Sequence, residues 1–118
     1  MFDYSLIRIV PRVHLGDCET VGAILQCRQR RFIGVRWSEP PEQLAARWPH
    51  LGEMTARALL AIEATASGQG PIGRFPPAER FHWLTAPRSS VVQPSPIHTG
   101  IGDDPHEALD RVVSAIMR

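Results

Sequence analysis

The stretch VGAILQCRQRRFIGVRW, from Val21 to Trp37, decides the fold class. Val21 to Cys27 is apolar, β-branched in part, and too short for a buried helix, so it reads as a strand. In Arg31 to Trp37, Ile33, Val35 and Trp37 alternate with Gly34 and Arg36, the period-two signature of a strand with one apolar face. The polar tract Arg28 to Arg30 joins them as a hairpin loop.

Working outward, Tyr4 to Val10 is a strand candidate that Pro11 ends. After Trp37, Ser38 with Pro40 and Pro41 closes the hairpin and opens a short helix, Glu42 to Trp48, that carries Leu44 and Trp48 inward. Glu53 to Ala66 is rich in Ala and Leu and predicts a longer helix, with Met54, Ala58, Ala61, Ile62 and Thr65 on one face. Ser67 and Gly68 end it. Arg80 to Thr85 predicts a fourth strand, with Phe81 and Trp83 on one side, and Val91 to Gln93 a fifth, interrupted by Pro94 and Pro96. Asp104, Pro105 and Glu107 fit the N-cap, N1 and N3 positions of a last helix whose apolar stripe is Leu109, Val112, Val113 and Ile116. The predicted architecture is α+β: a mostly antiparallel sheet of about five strands with helices packed on one face.

The chain has 118 residues, 43% hydrophobic and 21% charged, with a formal net charge of +1. These proportions predict a single domain over residues 1–118 with a core of its own. All 13 basic residues are Arg, and Asn is absent as well as Lys. That excludes a P-loop lysine, a Schiff base, a Ser-Lys nucleophile pair, a glycosylation sequon and a Cys-His-Asn triad. High genomic GC content accounts for the bias, since AT-rich codons specify Lys and Asn, and it points to a bacterial source. Cys18 and Cys27 match neither a CxxC redox pair nor a zinc ribbon and read as free thiols. Arg8 interrupts the apolar run near the start, and no run approaches membrane-spanning length, so the expectation is a cytoplasmic protein without a membrane partner.

Residues 1–37 hold six Arg against three acids, while residues 38–68 hold two Arg against four. A basic ribbon of Arg28, Arg30, Arg31 and Arg36 suits phosphate backbones, but the near-neutral whole weighs against nucleic acid. Gly68 to Gly73 spells G-x-G-x-x-G, yet a helix precedes it and prolines follow, the reverse of the strand-to-helix setting a dinucleotide needs; it reads as a flexible loop.

The densest chemistry lies in FHWLTAPRSSVVQPSPIHTG, Phe81 to Gly100. An irregular loop would let Arg88 project among Thr85, Ser89 and Ser90, where its fork could hold phosphate or carboxylate. Equally, Arg88 could pair with an acid of its own chain while the hydroxyls satisfy the loop. The candidate anion- or partner-binding set is Arg88, Ser89, Ser90, His98, Thr99, His82 and Gln93. His82 and His98 are the residues that could serve as general acid and base. With His106 or Asp103 they match no metal-ligand spacing, so no metal or other cofactor is expected. A Ser89 or Ser90, His98, Asp103 triad exists by residue type only, without a G-x-S-x-G elbow, and Cys18 with His14 is a commonplace spacing.

The segments YSLIRIVPRV, VGAILQCRQRRFIGVR and ERFHWLTAPRSSVVQPSPIHTG, with the Asp103-Asp104-Pro105 helix start, resemble the bacterial domain-of-unknown-function family 3037 over nearly the whole chain. Members often place an acidic residue and Asn-Val-Gly before the second strand, where this chain has Glu19-Thr20-Val21-Gly22. The resemblance implies a bacterial protein without an assigned activity, encoded near HipA-like kinases. The expected function is therefore a protein-binding or regulatory module with an anion-binding proline-rich loop, acting with such a kinase. The alternative is a small enzyme using His82 or His98 on a phosphorylated or acyl substrate.

Overall fold

The computed structural model describes residues 1–10, 18–48, 53–86, 92–102 and 104–116. The central strand is β1 (Phe2–Ile9). On one side it pairs antiparallel with β2 (Glu19–Cys27), which pairs in turn with β3 (Phe32–Trp37) to make the hairpin legible in the sequence. The turn is a single 3-10 segment, Arg28–Arg30, closed by Arg31 N–H donating to Arg28 O at 3.1 Å. Ile7 faces Gly22 and Arg8 faces Thr20, which leaves Val21 as a bulge.

The other edge of β1 is shared. β4 (Val92–Pro94) covers Ile7 to Ile9, and β5 (His98–Gly100) covers Phe2 to Tyr4, both antiparallel. Ser95 bridges the two, exchanging backbone and side-chain hydrogen bonds with Leu6. The fold is α+β with a five-stranded antiparallel sheet, as predicted. Its helices are divided between two faces rather than gathered on one. Ile7, Ile9, Val21 and Ile24 meet α1 (Pro41–Ala46), α2 (Glu53–Ala66) and α4 (Pro77–Leu84) through Leu44, Leu59, Ile62, Phe81 and Leu84. Phe2, Ala23, Leu25 and Cys27 point the opposite way, toward Ala108, Leu109 and Val113 of α5 (Pro105–Ile116). β2 is buried on both faces because helices cover both, which explains its unbroken run of buried residues, polar Gln26 among them.

Three local expectations need correction. Arg80 to Thr85 is not a strand; Arg80 to Leu84 belongs to α4, and Thr85 is its C-cap. Pro76-Pro77 and Glu79 start this helix, Phe81 and Leu84 are buried one turn apart, and Trp83, which strand alternation would place beside Phe81, is 54% exposed. The number of strands holds because β5, absent from the sequence reading, takes the vacated place. Second, α2 buries Thr55, Leu59, Ile62 and Ala66, whereas Ala61 is exposed and Ala58 and Thr65 are half-buried; the Met54 side chain lies outside the described residues. The larger Leu59 takes the core, turning the helix about one position from the predicted face.

The third correction concerns the G-x-G-x-x-G stretch, which is not a loop throughout: Gly70–Gly73 forms a one-turn helix, α3. Gly68 ends α2 at φ +100°, a left-handed position suited to glycine. Gly73 packs directly on it, since a Cβ there would lie 2.5 Å from the Gly68 carbonyl carbon. Two of the glycines thus serve a tight reversal. Arg80 locks it, donating from Nε to Phe75 O and from Nη1 to Ala66 O, each at 2.8 Å.

Candidate functional site

α5 begins where the sequence predicts. Asp104 caps it, Oδ1 accepting from the His106 N–H at 3.0 Å. Leu109 and Val113 seat the helix over β2 and β3, and Arg36 of β3 pairs with Asp110 on its outer side. That seat leaves the β1 and β5 half of the same sheet face uncovered. The result is a groove of about 610 Å³ between α5 and β5.

Its floor is apolar: Phe2 and Leu6 of β1, with Tyr4 between them, while Ala108, Val112 and Ala115 form the helical wall. Small residues at positions 108 and 115 keep the helix from filling the space. The opposite rim is β5 and Ile101, which is 85% exposed. Register puts His98 opposite Tyr4, on the same face, and their rings lie 5.3 Å apart at 30°. Arg111 enters from α5, its Nη2 reaching over Gly102, where a Cβ would come within 3.0 Å. Among the described residues no carboxylate lines the groove, and Arg111 makes no ion pair. Arg8 follows Leu6 on that face, opposite Thr20; its Nη2 donates to Pro94 O at 3.2 Å, and its Nε is buried with no partner among the described residues. The groove is thus apolar below with the Arg111 guanidinium at its edge, a setting that suits an anionic group attached to an apolar one.

Of the residues singled out from sequence, His98 and Thr99 line this groove. The Thr99 hydroxyl itself donates to Asp3 Oδ1 at 3.1 Å, and Gln26 Nε2 holds the other Asp3 oxygen at 3.2 Å. Gln93 sits on β4 opposite Arg8. His82 stands apart: it is on α4, on the opposite side of the sheet, beside Arg28, Phe75 and Trp83. His82 and His98 therefore do not share a hollow. Arg88, Ser89, Ser90, Asp103 and His14 lie outside the described residues. Cys18 is an exposed free thiol and Cys27 a buried one. Among the described residues no three His, Cys, Asp or Glu side chains cluster as metal ligands, and no helix is long and apolar enough to cross a membrane.

Tyr4 and Arg111 had no sequence signal as site residues. Tyr4 belongs to an ordinary strand alternation, and Arg111 sits on the polar side of an amphipathic helix. The hint lay in Ala108 and Ala115, too small to bury what faces them.

Fold and groove together define a small antiparallel α+β domain with an open cleft, apolar below and edged by Arg111, beside its last helix. The chain belongs to the family described as protein of unknown function (DUF3037), whose profile matches residues 4–117. No curated protein and no solved structure matches it.

Proposed function

We propose that the domain is a protein-binding regulatory module of the bacterial cytoplasm, and that the groove between α5 and β5 receives an anionic group with an apolar neighbour from its partner. A chain-terminal carboxylate after an apolar residue, or a phosphorylated side chain flanked by one, has this chemistry. The observation that carries the reading is Arg111: an arginine with no ion pair among the described residues, at the edge of a cleft floored by Phe2, Tyr4 and Leu6 and lined by no described carboxylate. An unpaired guanidinium presents its whole fork to an incoming oxyanion. His98, its ring tilted against Tyr4, adds a second donor from the facing strand. The partner that the family resemblance suggests is a HipA-like kinase, for which Arg88, Ser89 and Ser90 are further candidate contacts.

The test is a pull-down with a HipA-like kinase, followed by titration of that kinase against variants. Arg111→Ala and Arg111→Lys should both weaken binding at least tenfold, because an ammonium does not reproduce the fork, while the melting temperature stays within about 2 °C. Ala115→Trp should block the groove without removing a charge. Kinase capture that survives all three variants overturns the groove as the contact. If Arg88→Ala alone abolishes it, the loop carries the binding.

A further inference from the structure

We propose that the β2–β3 hairpin tip and the adjoining surface of α4 form a separate binding site for single-stranded nucleic acid. The tip reads Arg28-Gln29-Arg30-Arg31, all exposed. Among the described residues none of these arginines pairs with a carboxylate, although Arg36 and Arg47 elsewhere do.

Arg31 gives an independent sign. Its φ of 51° makes it the sole non-glycine residue with positive φ among those described. Hairpin loops of this kind end in a left-handed position that Gly or Asn occupies without strain. An arginine there gives up backbone comfort, and its side chain makes no hydrogen bond in return within the described structure.

Beside the tip, α4 and the turn before it hold the aromatic half of the site. Arg28 shares a notch of about 460 Å³ with Phe75, His82 and Trp83, and Arg31 flanks the neighbouring hollow against Pro76 and Pro77. Phe75 is 44% exposed and Trp83 54%. Among the described residues Glu79 is the one carboxylate lining that notch, against Arg28 in the notch and Arg30 and Arg31 at the tip. Planar rings for bases and guanidinium groups for the backbone are what sequence-tolerant single-strand sites combine. The overall charge of +1 weighs against nucleic acid in the sequence alone, but the arginines gathered at the tip make the local charge density that governs such a contact. An anionic membrane fits less well: the tip carries no apolar side chain to insert, and the aromatic rings lie in a recess beside it.

Fluorescence anisotropy of the full chain with a labelled twelve-nucleotide oligo(dT) tests the site. Binding at low salt is expected, with a slope of about −2 in log K against log salt for three phosphates, and weaker binding to a duplex. Trp83→Ala and Arg30→Ala should each lower affinity about tenfold. Arg31→Gly should raise the melting temperature while weakening binding, opposite movements that a purely structural role would not produce. Arg111→Ala should leave binding intact. Absence of binding at low salt, affinity indifferent to Arg30→Ala and Trp83→Ala, or preference for vesicles of anionic lipid over oligonucleotide would overturn the proposal.

Discussion

Ser5 Oγ donates to the carbonyl oxygen of Ser95 at 2.7 Å, with both residues buried in the sheet. Ser95 answers one residue along: its Oγ accepts from the Leu6 N–H at 2.8 Å, and its N–H donates to Leu6 O at 2.8 Å. This knot seats two short strands, β4 and β5, on one edge of β1.

The knot predicts an asymmetric response to mutation. Ser95→Ala strands the Leu6 N–H in a buried position and should cost about 1–3 kcal/mol in chemical denaturation. Ser114→Ala, on the exposed side of α5, should cost less than about 0.5 kcal/mol. Equal costs would mean that water replaces the serine hydroxyl freely.

Gly70 and Gly73 separate backbone strain from steric contact. Gly70 has φ +79° with open space around it, so Gly70→Ala should lose about 1–2 kcal/mol from strain alone. Gly73→Ala must push apart the backbone of α3 and the end of α2, at about 1–3 kcal/mol, and should also disturb the Arg80 bonds. Unchanged stability for Gly73→Ala would show that the two segments part easily.

The Arg80 fork itself is testable. It satisfies Ala66 O at the last residue of α2 and Phe75 O before α4. Arg80→Lys keeps the charge but cannot reach both carbonyls, and a loss of about 1 kcal/mol in thermal or urea unfolding is expected.

Leu109 is 1% exposed and holds α5 to the sheet. Leu109→Ala should cost about 2–5 kcal/mol, and Asp104→Ala about 1 kcal/mol through the lost cap. Removal of residues 105–118 would expose Ala23, Leu25 and Cys27 and should abolish cooperative unfolding in a calorimetric scan. A truncated chain that still melts cooperatively would refute the two-layer core.

The sequence was informative where structure is local. The β2–β3 hairpin, the span of α2 and the cap of α5 follow from alternation, helix composition and Asp104-Pro105. α4 was misread because its helical signal lies upstream, in Pro76, Pro77 and Glu79, while Phe81 and Trp83 imitate a strand. β5 carries no pattern of its own: His98, Thr99 and Gly100 become a strand only through pairing with β1. Chemical density pointed to His98 and Thr99, but the groove around them exists because α5 covers β2 and β3 and stops there. No local arrangement of residues encodes that seat, so Tyr4 and Arg111 were invisible beforehand.

The double seating on β1 also sets an order of events. Ser5 and Ser95 are 90 residues apart in the chain, so β1 acquires its second neighbours only after the residues between them have been made. Until then one edge of the central strand, with Ile7 and Ile9 on it, is an open template. Closing it requires the ends of a long stretch of chain to meet, an entropic cost that the local β2–β3 hairpin does not carry. During that interval the nascent domain is most vulnerable to pairing with another copy of itself, and arrival of β4 and β5 removes the hazard by occupying the edge.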